Sequence, residues 1–403
     1  MSAELPRAQE PTIWIAVHDL SRTGVPVLLT RLLRAVSATQ RAQVHVVAIF
    51  GGPLLSELTP LCASVTVLEP MDRRSAHAVA SLGLLTLGMG RSGELVRNTA
   101  WRAKLARQKN PDVVLVHGAG AWPVVEVVGS DVPVVVHLHE LGTALDRSIP
   151  VQNQAAAFQR AQQVMVVSEP VGQLAQHRGA DLKKIVMMPG CVQLPSSAPP
   201  DSVGPDPVGP DLVEADPAGP DLVQPGAVGE QWVLGAGTPG WRKGTDRLAA
   251  VAHELRRDQS AARVGWVGGK PSGSDATAIG RFDPVTWFEE QPDPWPLLSC
   301  ADVFVVPSRE DPLPLVALEA GAYRRAVVAM PTGGLPQLLA DGRGLVGGTQ
   351  SLRWFVGAVQ QVLDSPAMAE EMGERLHEYV QAHHDVAVLA PAWFQALVHV
   401  ASR

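Results

Sequence analysis

Two acids, Asp311 and Glu319, stand eight positions apart in SREDPLPLVALEA (308–320), on either side of a Pro-Leu-Pro break. Glu319 is surrounded by Leu315, Val316, Leu318 and Ala320, and a carboxylate among such side chains costs several kcal/mol unless something binds it. Proline suits the first turn of a helix and not its interior, so a helix is expected to begin near Pro314, with Asp311 in the loop above it. Glu319 then shares a helix face with Leu315 and Val316. A carboxylate on that face is suited to accept two hydrogen bonds from the vicinal hydroxyls of a ribose. The ordinary alternatives are an N-terminal cap for Asp311 and a solvated helix-edge acid for Glu319.

A second cluster lies upstream in WRKGTD (241–246), where Arg242 and Lys243 stand at the mouth of a helix expected over 244–257. Cations oppose the helix dipole at that end, and a bound anion such as a diphosphate explains them better than solvent does. The preceding GAGTPG (235–240) matches G-x-G-x-x-G, which raises a dinucleotide site as a rival. The next strand ends in VGGK, without the acid that should hold a ribose diol, and Pro239 stiffens the turn. In MPTGGLPQLLADGRG (330–344), Gly333 and Gly334 would let backbone amides approach a sugar or phosphate, and a plain tight turn is the ordinary alternative. HDLSRTGVP (18–26) joins a strand to a helix with Gly24 in the turn. HLHEL (137–141) closes another strand, where ligand residues of an open α/β sheet gather. His117, His137, His139 and Glu140 invite a metal reading. However, His137 and His139 alternate along one strand without a third ligand at a telling spacing, so no metal is expected. HHD (383–385) requires no role, and no G-x-S-x-G elbow is present.

The elements that must position these residues are legible as continuous apolar runs. TIWIAVH, QVHVVAIF, SVTVLE, DVVLVH, PVVVHLH, QVMVVS and KIVMMP in the first half are β-branched and separated by helical lengths of chain. QWVLGAG, ARVGWVGG, VTWFE, DVFVVPS and RAVVAM continue the pattern in the second. Strands apolar on both faces belong to parallel sheets covered by helices, which predicts two doubly wound α/β domains. Between them, residues 196–229 repeat GPD and lack core-forming periodicity, as a linker does. The expected organisation is a first domain over 1–195, a linker over 196–229, a second domain over 230–385 and a closing amphipathic helix over 386–403.

Composition narrows the function classes. A net charge of −7 leaves no cationic excess for general nucleic-acid binding. Three scattered cysteines, Cys62, Cys191 and Cys300, suggest a reducing compartment without a disulfide framework. The opening MSAELPRAQEPT lacks the layout of a secretion leader, and AVASLGLLTLGMG (78–90) is too short to span a bilayer, so a cytoplasmic protein is expected. Between Met71 and Pro111 eight cations stand against Asp72 and Glu94. A solvated helix face explains them. Contact with an anionic membrane surface, peripheral at the inner face, or with an acidic acceptor is the functional alternative.

In this order along the chain, SRTGVP, HLHEL, WRKGTD, SREDPLPLVALEA and the GGLP turn resemble the landmarks of retaining glycosyltransferases of the GT-B fold, family 4. The resemblance covers nearly the whole chain except the linker. It is nearest to the branch reading S-R-E-D-P-F-P-L-V-x-L-E-A. It implies two Rossmann-like domains facing across a cleft and a nucleotide-sugar donor bound mainly to the second. By motif position, Glu319 would hold the ribose hydroxyls, while Asp311, with Glu310 beside it, would contact the donor sugar. Lys243 and Arg242 would neutralise the diphosphate, and amides near Gly333, Gly334 and Leu335 would meet sugar and phosphate. His139 would contact the sugar and help place the acceptor, and Gly24 would leave room beside the phosphates. Catalysis would fall to His139, Lys243, Asp311 and Glu319, by positioning and charge stabilisation, with the leaving diphosphate taking the acceptor's proton and with no metal or cofactor. The expected activity is transfer of a sugar, with retention, from a UDP- or GDP-sugar to a glycan or lipid-linked acceptor. A weak or non-catalytic nucleotide-sugar-binding relative, a nucleotide-sugar hydrolase and a dinucleotide oxidoreductase are the alternatives. Four features depart from the family pattern: Asp311 replaces the usual glutamate, Thr238 stands near a usual arginine, Gln337 replaces a glutamate, and the segment between 269 and 302 is short.

Overall fold

The computed structural model describes residues 10–41, 43–69, 76–87, 89–195, 230–272 and 284–403. The expected linker at 196–229 and residues 273–283 lie outside that set, as do Asp72, Arg73 and Arg74. The chain divides into two compact units, Met1–Pro189 with Val386–Arg403, and Gly190–Asp385.

In the first unit, seven parallel strands run β1 (Ile13–Val17), β2 (Val44–Phe50), β3 (Ser64–Glu69), β4 (Val113–His117), β5 (Val134–Leu138), β6 (Gln163–Val166) and β7 (Ile185–Met187). Their order across the sheet is β3-β2-β1-β4-β5-β6-β7. Strands β1, β4 and β5 are buried along their whole length, as continuous apolar runs require. The closing helix Val386–Ala401 belongs to this unit, where it packs against the helix Gly24–Ala35.

The second unit repeats the scheme with β8 (Trp232–Ala236), β9 (Arg263–Val267), β10 (Val285–Phe288), β11 (Val303–Val306), β12 (Val327–Ala329) and a two-residue β13 (Leu345–Val346). The order β10-β9-β8-β11-β12-β13 is again parallel throughout. Residues 190–195 group with this unit: the amide of Val192 donates to the His384 carbonyl, and His384 Nδ1 lies 2.8 Å from the Gly190 carbonyl oxygen. In both sheets the strand order reverses once, between β1 and β4 and between β8 and β11. Ligands of open α/β sheets bind beyond the carboxyl ends of the strands at such a reversal.

The helix carrying Glu319, Leu315–Ala322, is held from outside by the long helix Pro366–His383. His377 Nδ1 lies 3.2 and 3.1 Å from the Gly321 and Ala322 carbonyl oxygens at its C-terminal end, where it donates to them. Gly373 permits the approach, since a Cβ there would sit 2.2 Å from the Arg324 carbonyl oxygen. Gly373→Ala is therefore expected to lower stability by about 1–3 kcal/mol, because backbone must shift to admit the methyl group. Gly357→Ala, in the helix Leu352–Leu363 with nothing among the described residues within 4 Å of its Cβ, should be neutral or gain up to about 1 kcal/mol. Urea denaturation of the two variants checks the contrast, and equal midpoints would refute it.

Candidate functional site

Two turns meet at the reversal point of the second sheet. The turn after β8 carries Gly237 to Gly244, and the loop after β11 carries Pro307 to Pro314. Gly244, at φ +74°, caps the helix Thr245–Arg257, and a Cβ there would fall 2.1 Å from the Pro307 carbonyl oxygen. Only glycine tolerates both the left-handed backbone and that proximity. The Arg309 amide donates to the Arg242 carbonyl at 2.9 Å. The Arg309 guanidinium grips both Asp246 carboxylate oxygens, at 2.7 and 2.6 Å, and stacks 4.8 Å over Trp241. A planar fork holding a carboxylate from two points fixes direction as well as distance.

The turns so fixed bring Lys243 onto Asp311. Lys243 Nζ donates to Asp311 Oδ2 at 2.5 Å, and Arg242 Nη1 stands 4.0 Å from the same oxygen. Asp311 is 4% exposed, its amide donates to Thr332 Oγ1, and Ser308 Oγ lies 3.5 Å from Oδ2. Arg242 is half exposed and donates to the Glu310 carbonyl at 2.9 Å. The N-cap of the Glu319 helix is Pro314, so Asp311 serves the lysine and not the helix end. Glu319 is 6% exposed, within a helix that also buries Ala317, Leu318 and Ala320.

Gly333, at φ +50°, lies in the turn after β12, and a Cβ there would lie 1.9 Å from the Asp311 carbonyl oxygen. The amides of Gly334 and Leu335 are engaged within the loop, with the Pro312 carbonyl at 2.8 Å and the Thr332 carbonyl at 3.1 Å. Both amide protons are thus donated within the loop. Gln337 and Thr238 are exposed. The glycine fingerprint also reads differently in place. The helix starts at Thr245, five residues beyond Gly240, whereas a dinucleotide turn opens directly into its helix.

In the first unit the reversal point gathers a different chemistry. Gly24 is the exposed first residue of its helix. His117 ends β4 directly beside His137 of β5, and His139 follows two residues on. The ring centroids of His137 and His139 are 4.1 Å apart, and those of His117 and His139 4.6 Å. The parallel register thus supplies the third histidine that linear spacing could not reveal. Burial pushes His137 down to about 4 and drives His117 and His139 well below the ordinary imidazole value, with the charge of His137 adding to it. Glu140 accepts from the Ala119 and His139 amides, each at 2.9 Å, yet burial pushes its carboxyl up to about 7.

The two units define a class: paired Rossmann-like domains in which the second presents cations and buried carboxylates at its reversal point. The chain matches the family described as Glycosyltransferase Family 4 over residues 22–194, and Glycosyl transferases group 1 over residues 231–365. Its two units thus carry the two domain types of the group 1, family 4 glycosyltransferases. A D-inositol 3-phosphate glycosyltransferase of Corynebacterium diphtheriae is 38% identical over 141 residues, 31% of this chain and 32% of that protein. Its counterpart in Segniliparus rotundus is 29% identical over 295 residues, 66% and 59% of the two chains. The chain therefore spans a third to three-fifths of these curated relatives. Among solved structures, Anabaena Alr3699/HepE in complex with UDP-glucose superposes with a TM-score of 0.71 at 14% identity, covering 96% of this chain and 99% of that one. Sucrose-phosphate synthase from Thermosynechococcus elongatus gives 0.67 at 19%, covering 96% and 98%. Both likenesses are of fold.

Gly333→Ala is expected to displace the Asp311 backbone and to lower stability by about 1–3 kcal/mol through left-handed strain and the clash. A crystal structure of the variant should show the Lys243–Asp311 pair lengthened. An unmoved pair at unchanged melting temperature would contradict this account.

Proposed function

We infer that the protein transfers a sugar, with retention of configuration, from a UDP- or GDP-sugar to a glycan or lipid-linked acceptor. The observation that carries the reading is the buried Glu319 on the helix that follows Asp311, with Lys243 and Arg242 converging on Asp311. In this reading Glu319 accepts from the ribose diol, and Lys243 turns from Asp311 toward the diphosphate. Asp311 is thereby freed to accept from a sugar hydroxyl. Arg242 neutralises charge on the leaving group, and the diphosphate takes the acceptor's proton. Gly333 leaves space for the sugar, and His139 meets it from the first domain. No metal is required by this inventory, since cations already stand where charge develops. The curated relatives named above are glycosyltransferases, and Anabaena Alr3699/HepE was solved with UDP-glucose, both of which support the donor class.

A second reading, nucleotide-sugar binding without transfer, is favoured by one observation, that the amides of Gly334 and Leu335 are already engaged, and by the departures at Thr238 and Gln337 that the resemblance implies. Titration calorimetry with UDP, GDP and NAD, followed by a donor screen read by mass spectrometry, separates the readings. Expected are UDP or GDP binding, no NAD binding, and a transferred sugar. Glu319→Ala and Lys243→Ala should each lose more than about 90% of transfer, equivalent to at least ~1.4 kcal/mol of transition-state stabilisation, while remaining folded. Wild-type turnover in either would remove the site assignment.

We also infer a cytoplasmic location with peripheral contact to an anionic membrane. No helix among the described residues is long and apolar enough to cross a bilayer. The helices Ala76–Thr86 and Gly90–Leu105 expose Val79, Leu82 and Leu95, and Leu87 and Met89 lie exposed between them. Arg97, Arg102 and Lys104 are engaged with Glu126, the Glu126 carbonyl and the Leu68 carbonyl, so apolar side chains must carry more of the contact than charge does. Flotation with phosphatidylserine vesicles should recover the wild type, and Leu82→Ser with Leu95→Ser should abolish recovery. Recovery independent of both leucines would rule this surface out.

A further inference from the structure

We propose that His117, His137 and His139 form a binding site for one transition-metal ion of the zinc class, at the carboxyl ends of β4 and β5. The parallel register sets His117 beside His137, and His139, two residues on, projects from the same face. One ring nitrogen from each lies within 4.8 Å of the other two.

The condition of those nitrogens separates the cluster from ordinary packing. His117 Nε2 stands 3.2 Å from the Val25 carbonyl oxygen, and His137 Nε2 3.0 Å from that of Met188. A carbonyl can only accept, so both Nε2 atoms carry the ring proton. In the neutral ring this leaves a lone pair on Nδ1 of each. Among the described residues neither Nδ1 has a hydrogen-bond partner, and neither has His139 Nε2. An unsatisfied buried polar atom costs roughly 1–3 kcal/mol, and three stand together here.

One divalent cation satisfies all three at metal–nitrogen distances of about 2.0–2.1 Å. Tetrahedral geometry sets the nitrogens about 3.3 Å apart, so the rings must turn inward to close on an ion. The carbonyls of Val25 and Met188 already fix tautomer and ring direction, as the outer partners of ligating histidines do. A donor set of imidazoles selects Zn2+, Co2+, Ni2+ or Cu2+ over Mg2+ and Ca2+, which prefer oxygen. The site is separate from the Lys243–Asp311 pair. An ion in it would pin the His139 ring to the strand ends.

The test uses the untagged full-length chain, stripped with a chelator and titrated with Co2+ and then Zn2+. Expected are one equivalent of Co2+ with the intense visible bands of a tetrahedral site, displacement by Zn2+, and an X-ray absorption spectrum of the zinc form fitted by three imidazoles. The His117→Gln/His137→Gln double variant, with circular dichroism confirming its fold, should lose affinity by more than about tenfold, at least the loss seen on removing an outer partner. Three results overturn the proposal: no stoichiometric binding by the wild type, a spectrum with fewer than three imidazoles, or affinity retained by the folded double variant. If the variant does not fold, the two wild-type spectra decide alone.

Discussion

A lysine ammonium and an aspartate carboxylate lose several kcal/mol each on leaving water, and recover it only when geometry holds them together. The second unit meets that condition at the one place where its strand order reverses. Lys243 comes from the turn after β8 and Asp311 from the loop after β11, and neither loop is free to wander. Gly244 is pressed on Pro307, Gly333 on Asp311, and Arg309 clamps Asp246 while its amide holds Arg242. The ion pair depends on this backbone contact. The contact in turn depends on positions where a side chain would collide.

The two reversal points share a topology and differ in electrostatics. In the first unit burial dominates: three imidazoles are driven neutral, and Glu140 is pushed up to about 7 despite two backbone hydrogen bonds. In the second, opposite charges face each other at hydrogen-bonding distance. A polyanion is matched by the second set and, without a bound cation, not by the first. Under the proposed function this asymmetry assigns the diphosphate to the second domain, and leaves the first for neutral hydroxyl groups.

Much of this was legible in the chain because fully buried parallel strands are written as unbroken β-branched runs. Twelve such runs coincide with β1 to β12. The two-residue β13 carries too little pattern to be read. The burial of Glu319 was legible because apolar neighbours flank it on one helical face. The partner of Lys243 was not, since Asp311 lies 68 residues away and the pairing is created by adjacent strands. The third histidine was hidden for the same reason. His117 and His137 become neighbours only through the register of β4 on β5, and no linear spacing encodes it. The Arg309–Asp246 clamp likewise spans 63 residues and left no local sign beyond the residue types.

The pair also states what a ligand of the proposed function must bring. Taking Lys243 away from Asp311 without replacement would leave a buried carboxylate uncompensated, at a cost of about 3–5 kcal/mol. A diphosphate can attract the ammonium, but it repels the carboxylate left behind. A sugar hydroxyl donating to Asp311 removes that objection, because it replaces the lost hydrogen bond without adding charge. A ligand carrying diphosphate and sugar together therefore opens the pair at less cost than either fragment alone. On this argument a nucleotide sugar holds an advantage over its nucleoside diphosphate, and that advantage originates in the ion pair that the fold has assembled beforehand.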